Sequence, residues 1–234
     1  MKKKLILVTL LILGCMSGIY AQDADSNAKE PKAKKEKPAK VHFTGTEEWY
    51  LQAQGGLNFL GAEYALNPEI GLRNMLSGNG AFTVGKNFTT YWGMRLHLLG
   101  GGDKLTYNMN ENSKDFYTFS HIGAFAEVTF NITTLFRKDK APKPWNIYAM
   151  FGPGVLYSFG FDGENPDFNN HVSLEKNTTF ALYGGFETSY RFTPHWDFNF
   201  GITTNWMGDK YNGIVGGRKY EGHLNIMFGF GYIF

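Results

Sequence analysis

The stretch Tyr220-Glu221-Gly222-His223-Leu224-Asn225-Ile226-Met227-Phe228-Gly229-Phe230-Gly231-Tyr232-Ile233-Phe234 decides the fold class of this chain. From Leu224 to Phe234 a large apolar residue occupies every second position, while Glu221, His223 and Asn225 belong to the opposite parity. A period of two places alternate side chains on opposite faces of a β-strand. The stretch therefore predicts a strand with one apolar face and one face that carries polar groups.

The same alternation recurs in seven further segments towards the N-terminus. They lie near 47–59, 79–88, 91–101, 116–130, 145–159, 179–192 and 196–206. Stretches rich in Gly, Asn, Asp and Lys separate the segments, as expected for turns and loops. The chain is therefore predicted to be all-β, with eight antiparallel strands.

The connections between the segments alternate in length. Those near 89–90 and 193–195 are tight, and the third on that side, 131–144, is longer. Those on the other side are long and polar, at 59–78, 102–115, 160–178 and 207–219. Long outer loops and short periplasmic turns are typical of an up-and-down transmembrane β-barrel in a bacterial outer membrane.

Aromatic residues near the short-turn ends favour a lipid-facing surface over a soluble sandwich. They are Trp49, Trp92, Phe130, Trp145, Phe192, Trp196 and Phe234. Aromatic girdles mark the two membrane interfaces of such barrels. The opposite parity carries Arg95, Glu127 and Glu187 at mid-strand, and these charges would be costly in the dry core of a sandwich. Trp92 and Phe198 are expected to face outward.

The charged residues of the inner parity predict a lumen plugged by ion pairs. If the 193–195 hairpin pairs Phe192 with Trp196, Arg191 lies opposite Asp197 on the inner face. Arg95 and Glu127 lie at similar heights on consecutive strands. The predicted network comprises Arg95, Glu127, Glu187, Arg191 and Asp197. Because eight strands leave an interior just wide enough for side chains, a wide pore is disfavoured.

Two residues interrupt the alternation. Lys86 lies on the apolar parity of the second segment, where either snorkelling to lipid headgroups or a bulge would accommodate it. Pro153 removes one backbone donor from the fifth segment, and we expect a bulge beside Gly152 and Gly154.

The N-terminal region has the features of an export signal. Lys2 to Lys4 precede the short apolar run Leu5–Leu13, and Ala21-Gln22 offers a cleavage point. Lipid attachment at Cys15 is the alternative. Residues 1–21 are therefore predicted to be a signal peptide, 22–45 a disordered Lys/Pro-rich periplasmic linker and 46–234 the barrel.

Several segments resemble known proteins. Phe228, Phe230, Tyr232 and the terminal Phe234 resemble the C-terminal signal that the barrel-assembly machinery reads. Phe82-Thr83-Val84-Gly85-Lys86, Tyr91-Trp92-Gly93-Met94-Arg95-Leu96 and Gly152-Pro153-Gly154-Val155 resemble OmpA-type barrels of the Bacteroidetes. Many members of that family continue into a peptidoglycan-binding domain. The sequence given ends at Phe234, so the expectation is a barrel alone.

No catalytic, cofactor or metal site is predicted. His97, His121 and His223 share the inner parity, but His97 is expected to lie low and His121 and His223 nearer the outer rim, which argues against a shared metal or acid–base site. The patterns G-x-S-x-G and H-E-x-x-H do not occur. The one cysteine lies in the leader, so the mature chain is expected to hold no Cys-ligated metal.

The expected function is a structural or surface role in the outer membrane, without catalysis and without a wide pore. There are two alternatives: a barrel enzyme that acts on lipid A or phospholipid, and a binding or adhesion module that uses the loops. The expected partners are outer-membrane lipids, the barrel-assembly machinery and a surface partner of the four long loops. Nucleic acid is not expected to bind.

Deletion of Phe234 should impair assembly, because the terminal aromatic residue belongs to the proposed assembly signal. Heat-modifiable gel mobility of membrane fractions measures the folded fraction. The variant Phe192→Ala, which removes another predicted girdle aromatic, controls for the loss of an interfacial side chain. A wild-type folded yield after deletion of Phe234 would contradict the assignment.

Overall fold

The computed structural model describes residues 47–61, 76–110, 113–137, 143–163, 176–213 and 220–234. The predicted signal peptide at 1–21, the alternative lipid attachment at Cys15 and the predicted linker at 22–45 lie outside these described residues.

The chain forms a closed barrel of eight antiparallel strands in sequence order, as predicted. The strands are β1 Trp49–Gly61, β2 Leu76–Asn87, β3 Trp92–Asn110, β4 Ser113–Asn131, β5 Trp145–Gly163, β6 Asn177–Arg191, β7 Trp196–Gly208 and β8 Tyr220–Ile233. A short helix, α1 (Ile132–Phe136), follows β4, and its N-cap Asn131 accepts a hydrogen bond from the Thr134 amide. Within the described residues, no helix is long and apolar enough to cross a membrane.

The first and last strands close the barrel. Their register runs from Tyr50 opposite Ile233 to Gly61 opposite Gly222, and the Phe234 amide donates to the Trp49 carbonyl at 3.0 Å. The predicted pairing at the 193–195 hairpin is also present, with Tyr190 opposite Phe198 and Arg191 opposite Asp197. This register therefore orients the side chains of alternate residues in every strand towards the outside of the barrel.

The outward parity carries the apolar residues, as the alternation predicted. Trp92 and Phe198 are each 40 % exposed on the outer wall. The predicted girdle aromatics are all exposed and lie at the short-turn end of the barrel. Lys86 also points outward at this end, with its ammonium nitrogen 5.5 Å from the Trp49 ring centroid. Its register with β1 and β3 is uninterrupted, so the bulge that was one alternative for Lys86 is absent.

The bulge predicted at Pro153 is wrong. Phe125 lies opposite Gly154 and Val128 opposite Phe151, so the β4–β5 register is the same on both sides of the proline. Beside the proline the two strands approach closely, because a Cβ at Gly152 would overlap the Ala126 carbonyl. The register shift in this pair lies nearer the outer end, between Thr118 and Ser120, where Gly160 has φ +68°.

The long loop predicted at 102–115 is also wrong, because β3 continues to Asn110 and β4 begins at Ser113. Near Asp103 the polarity of the two faces reverses. Leu105, Tyr117 and Phe119 are buried inside, while the outward positions Lys104 and Thr118 are polar. Strands that extend beyond lipid no longer need an apolar outer face, so this segment lacks the alternation by which the other strands are recognised.

Because the polarity of the faces reverses above Asp103, apolar side chains fill the outer end of the interior and form what we call the apolar cap. Phe119 stacks on Phe161 with ring centroids 4.9 Å apart, and Tyr211 contacts Phe119 edge-on at 5.4 Å. A second apolar layer lies deeper in the barrel and includes Phe125 and Tyr183, whose centroids are 5.1 Å apart. The interior therefore alternates between polar and apolar levels along the barrel axis.

Replacing Gly152 by alanine should destabilise the barrel by about 1–3 kcal/mol, because the added methyl must displace the β4 backbone. Gly55→Ala is the matched control, since a Cβ there has no heavy atom within 4 Å. Urea unfolding in lipid vesicles gives both free energies of unfolding. Equal stability of the two variants would show that the β4–β5 approach is not tight.

Candidate functional site

A buried charge network lies in the lower lumen, towards the short-turn end of the barrel. Arg95 of β3 donates from Nε to Glu127 Oε2 at 2.7 Å and from Nη1 to Glu187 Oε2 at 3.1 Å. All three side chains are at most 5 % exposed. The structure thus brings together three of the five residues that the sequence grouped.

Amide side chains complete this network. Gln52 Nε2 donates to Glu187 Oε1 at 3.0 Å, and Gln54 Nε2 donates to Asn199 Oδ1 at 2.6 Å. These contacts connect β1 with β6 and β7. Because one guanidinium faces two carboxylates, the amide donors offset part of the cost of burying the extra charge.

Arg191 and Asp197 lie opposite each other, but Arg191 has another carboxylate partner. Its Nη1 and Nη2 donate to Glu48 Oε1 and Oε2 at 3.1 and 2.8 Å, a bidentate arrangement. Asp197 Oδ2 accepts from the Ser189 hydroxyl at 2.7 Å. The sequence placed Glu48 on the inner parity without selecting it, because only the closed β1–β8 seam brings β1 towards β6.

A second polar cluster lies above the middle apolar layer and consists of Asp103, His121 and His223. His223 Nε2 is 2.7 Å from Asp103 Oδ1, and His121 Nδ1 is 2.9 Å from Asp103 Oδ2. One ligand atom from each residue lies within 4.8 Å of the other two. The exposed fractions are 2 %, 1 % and 0 %, so the cluster is enclosed.

The expectation that the three inner histidines do not share a site holds for His97 alone. His97 is four positions below Gly101, the β3 partner of His121, and its Nδ1 lies 2.9 Å from Thr83 Oγ1. His121 and His223, both expected nearer the outer rim, do meet at Asp103, so the expectation is wrong for these two. Asp103 was missed because it fell inside the predicted 102–115 loop.

Two further side chains hold the Asp103 carboxylate. Asn58 Nδ2 donates to Oδ1 at 2.6 Å, and the Tyr211 hydroxyl donates to Oδ2 at 2.7 Å. Burial and the adjacent carboxylate raise the pKa of Tyr211, which lies in the turn after β7, well above its usual value. The phenol therefore keeps its proton and remains a donor to Asp103.

The cluster contains ring nitrogens without hydrogen bonds. Among the described residues, His121 Nε2 and His223 Nδ1 have no hydrogen-bond partner, and His121 Nδ1 approaches Asp103 without hydrogen-bonding geometry. Ser158 lies opposite His121 in the β4–β5 register, but its hydroxyl donates to the Asn177 carbonyl at 3.5 Å. The arrangement therefore offers lone pairs to a cation, and it lacks the serine–histidine hydrogen bond that nucleophilic catalysis requires.

The comparison with known families agrees with this architecture. The profile of the outer membrane protein beta-barrel domain matches residues 46–234. The chain belongs to this family. It is a small eight-stranded barrel of the bacterial outer membrane.

One solved outer-membrane barrel supports this fold, and two further barrels are similar at lower TM-scores. The outer membrane protein OprG from Pseudomonas aeruginosa has a TM-score of 0.53 at 12 % identity, covering 83 % of this chain and 98 % of that one. Neisserial surface protein A has a TM-score of 0.49 at 15 % identity, covering 82 % and 98 %. The attachment invasion locus protein of Yersinia pestis has 0.48 at 13 %, covering 81 % and 99 %. No curated protein matches the sequence.

Replacing Arg95 by methionine should lower the free energy of unfolding by about 3–5 kcal/mol, because Glu127 and Glu187 lose their buried cation. Adding Glu127→Gln removes one of the two carboxylates and should restore part of that loss. Urea unfolding of single and double variants measures the coupling.

Arg191→Met is the matched control, since its pair with Glu48 lies at the lumen entrance, where the arginine side chain is 12 % exposed. We expect a smaller loss there because solvent reaches the pair. Additive losses for Arg95→Met and Glu127→Gln would show that this pair is not coupled.

Proposed function

We propose that the protein is a non-catalytic outer-membrane barrel with a structural or surface role, and that it does not serve as a wide pore. The observation that carries this proposal is the filled interior. The lumen contains two polar clusters and two apolar layers, and a continuous aqueous path would have to pass through all of them.

Contacts across the bore support the absence of a wide pore. Arg95 of β3 reaches Glu187 of β6, and Gln52 of β1 donates to the same carboxylate at 3.0 Å. A cavity in the lower lumen, lined by Tyr50 and Gln52 among others, has a volume of about 30 Å³. That volume accommodates about one or two water molecules.

The outer end of the barrel supports a surface role. The β3–β4 hairpin extends past the reversal of polarity at Asp103 to Asn110 and Ser113, roughly 20 Å along the strands. It therefore projects beyond the lipid-facing band. The segments 59–78, 160–178 and 207–219, which include the other outer connections, are the proposed contact regions for a surface partner.

The chain is further proposed to belong to the Bacteroidetes branch of OmpA-type barrels. The resemblance of segments 82–86 and 91–96 to those proteins supports this placement.

The outer wall supports outer-membrane lipids as partners. Small residues such as Gly100 leave a groove of about 600 Å³ that Phe82, Leu98, Ile122 and Val155 line. These apolar residues are exposed, and the groove faces the lipid band. An acyl chain of the surrounding lipid matches its shape and polarity.

An enzyme acting on lipid A or phospholipid is the main competing function. Such an enzyme needs a nucleophile or base that its substrate can reach. The cluster of Asp103, His121 and His223 is buried inside the wall, and Ser158 makes no hydrogen bond to His121. We therefore expect lipid A mass spectra of a deletion strain to match those of the parent strain. A change restored by the wild-type gene and abolished by His121→Ala would support the enzyme instead.

The purified barrel should show small or no conductance in planar bilayers, because packed side chains fill the bore. A wide porin reconstituted under the same conditions serves as the positive control. Heat-modifiable mobility must first establish that the sample is folded. A large, steady conductance from the folded protein would contradict the proposal.

A further inference from the structure

The upper polar cluster has the composition of a metal site that joins separate strands. Asp103 belongs to β3, His121 to β4 and His223 to β8. Two imidazoles and one carboxylate converge from opposite sides of the bore, with ligand atoms within 4.8 Å of one another. We propose that these three residues bind one divalent transition-metal ion, of which Zn²⁺ is the test case.

The ligand set favours this class of ion. Imidazole suits Zn²⁺ and its neighbours, whereas Mg²⁺ and Ca²⁺ prefer oxygen ligands. Bonds of about 2.0–2.1 Å in a tetrahedral site separate neighbouring donors by roughly 3.3 Å. The present distances from the histidine nitrogens to Asp103 are 2.7 and 2.9 Å. These two distances would open by roughly half an ångström, and the two histidine ligand atoms, which lie within 4.8 Å of each other, would approach to roughly 3.3 Å.

A buried ring nitrogen that faces Asp103 without a hydrogen bond is a second observation that points to a ligand. Here His121 Nδ1, which faces Asp103 Oδ2 at 2.9 Å, lacks a hydrogen bond among the described residues, as do buried polar atoms elsewhere in the lumen such as Glu127 Oε1. Both rings are at most 1 % exposed, so water outside the barrel does not solvate them. Coordination would use His121 Nδ1 and His223 Nε2, the two nitrogens nearest the carboxylate, and what distinguishes this cluster is that these donors converge with Asp103.

The contacts around Asp103 match the outer shell of a metal site. Tyr211 donates to Oδ2 and Asn58 to Oδ1, so the carboxylate is oriented by groups that are not themselves ligands. Such outer contacts orient a ligand and tune the affinity of the site. Tyr211 comes from the β7–β8 connection and Asn58 from β1, so an ion would join four strands and one outer turn.

Metal binding to the untagged barrel in detergent is the direct test. After treatment with a chelator, titration with Zn²⁺ should give one bound ion per barrel, and Co²⁺ should give visible ligand-field absorption. Zn²⁺ should also raise the temperature at which the folded gel band is lost, by roughly 5–10 °C at about a hundredfold excess over Kd. Absence of binding to the folded wild type would overturn the proposal.

Substitutions assign the ion to the cluster. Asp103→Asn and His223→Gln should abolish binding, whereas His97→Asn, a change to a buried histidine outside the cluster, should leave it unchanged. If the ligand variants do not fold, Tyr211→Phe is the decisive variant. It leaves all three ligands in place and should weaken binding about ten- to a hundredfold. Binding that persists unchanged in folded Asp103→Asn or Tyr211→Phe would place the ion elsewhere and contradict the proposal.

Discussion

The structure depends on pairing every backbone amide and carbonyl group within lipid, where water cannot replace a missing partner. An open sheet would leave two edges unpaired, so the chain must return β8 to β1. The seam from Tyr50–Ile233 to Gly61–Gly222 meets this requirement. Closure also fixes the inner and outer parity of every strand at once, because a slip of one residue at the seam would exchange the faces.

The environment at each height then determines which residues each face carries. In the lipid band the outer wall is apolar and aromatic, and the lower lumen concentrates charge around Arg95. Above Asp103 the outer face meets water, so Lys104 and Thr118 point outward while Tyr117 and Phe119 pack inside. The upper barrel is therefore organised like a soluble protein, and the histidine cluster lies beneath its apolar cap.

The number of strands, the residues on each face and the pairing at the 193–195 hairpin could be predicted from the sequence. A period of two is a local pattern, and in a pleated strand it places alternate side chains on opposite faces. The full length of β3 and β4 could not be predicted, because the alternation of apolar and polar residues disappears where the outer face of the strands meets water. The partners of Arg191 and His223 depend on which strands face each other across the bore. That information arises from closure and the stagger of the strands, to which residues distant in the sequence contribute.

The Trp49–Phe234 contact places the first and last strands side by side at the same rim, with a backbone hydrogen bond of 3.0 Å between them. The end of the barrel is thus within reach of its beginning, and a short peptide linker would join β8 to β1 without altering the wall. New termini opened in an outer connection would then produce a circular permutant with the same strand neighbours. The order in which strands leave the ribosome is therefore separable from the order in which they surround the lumen.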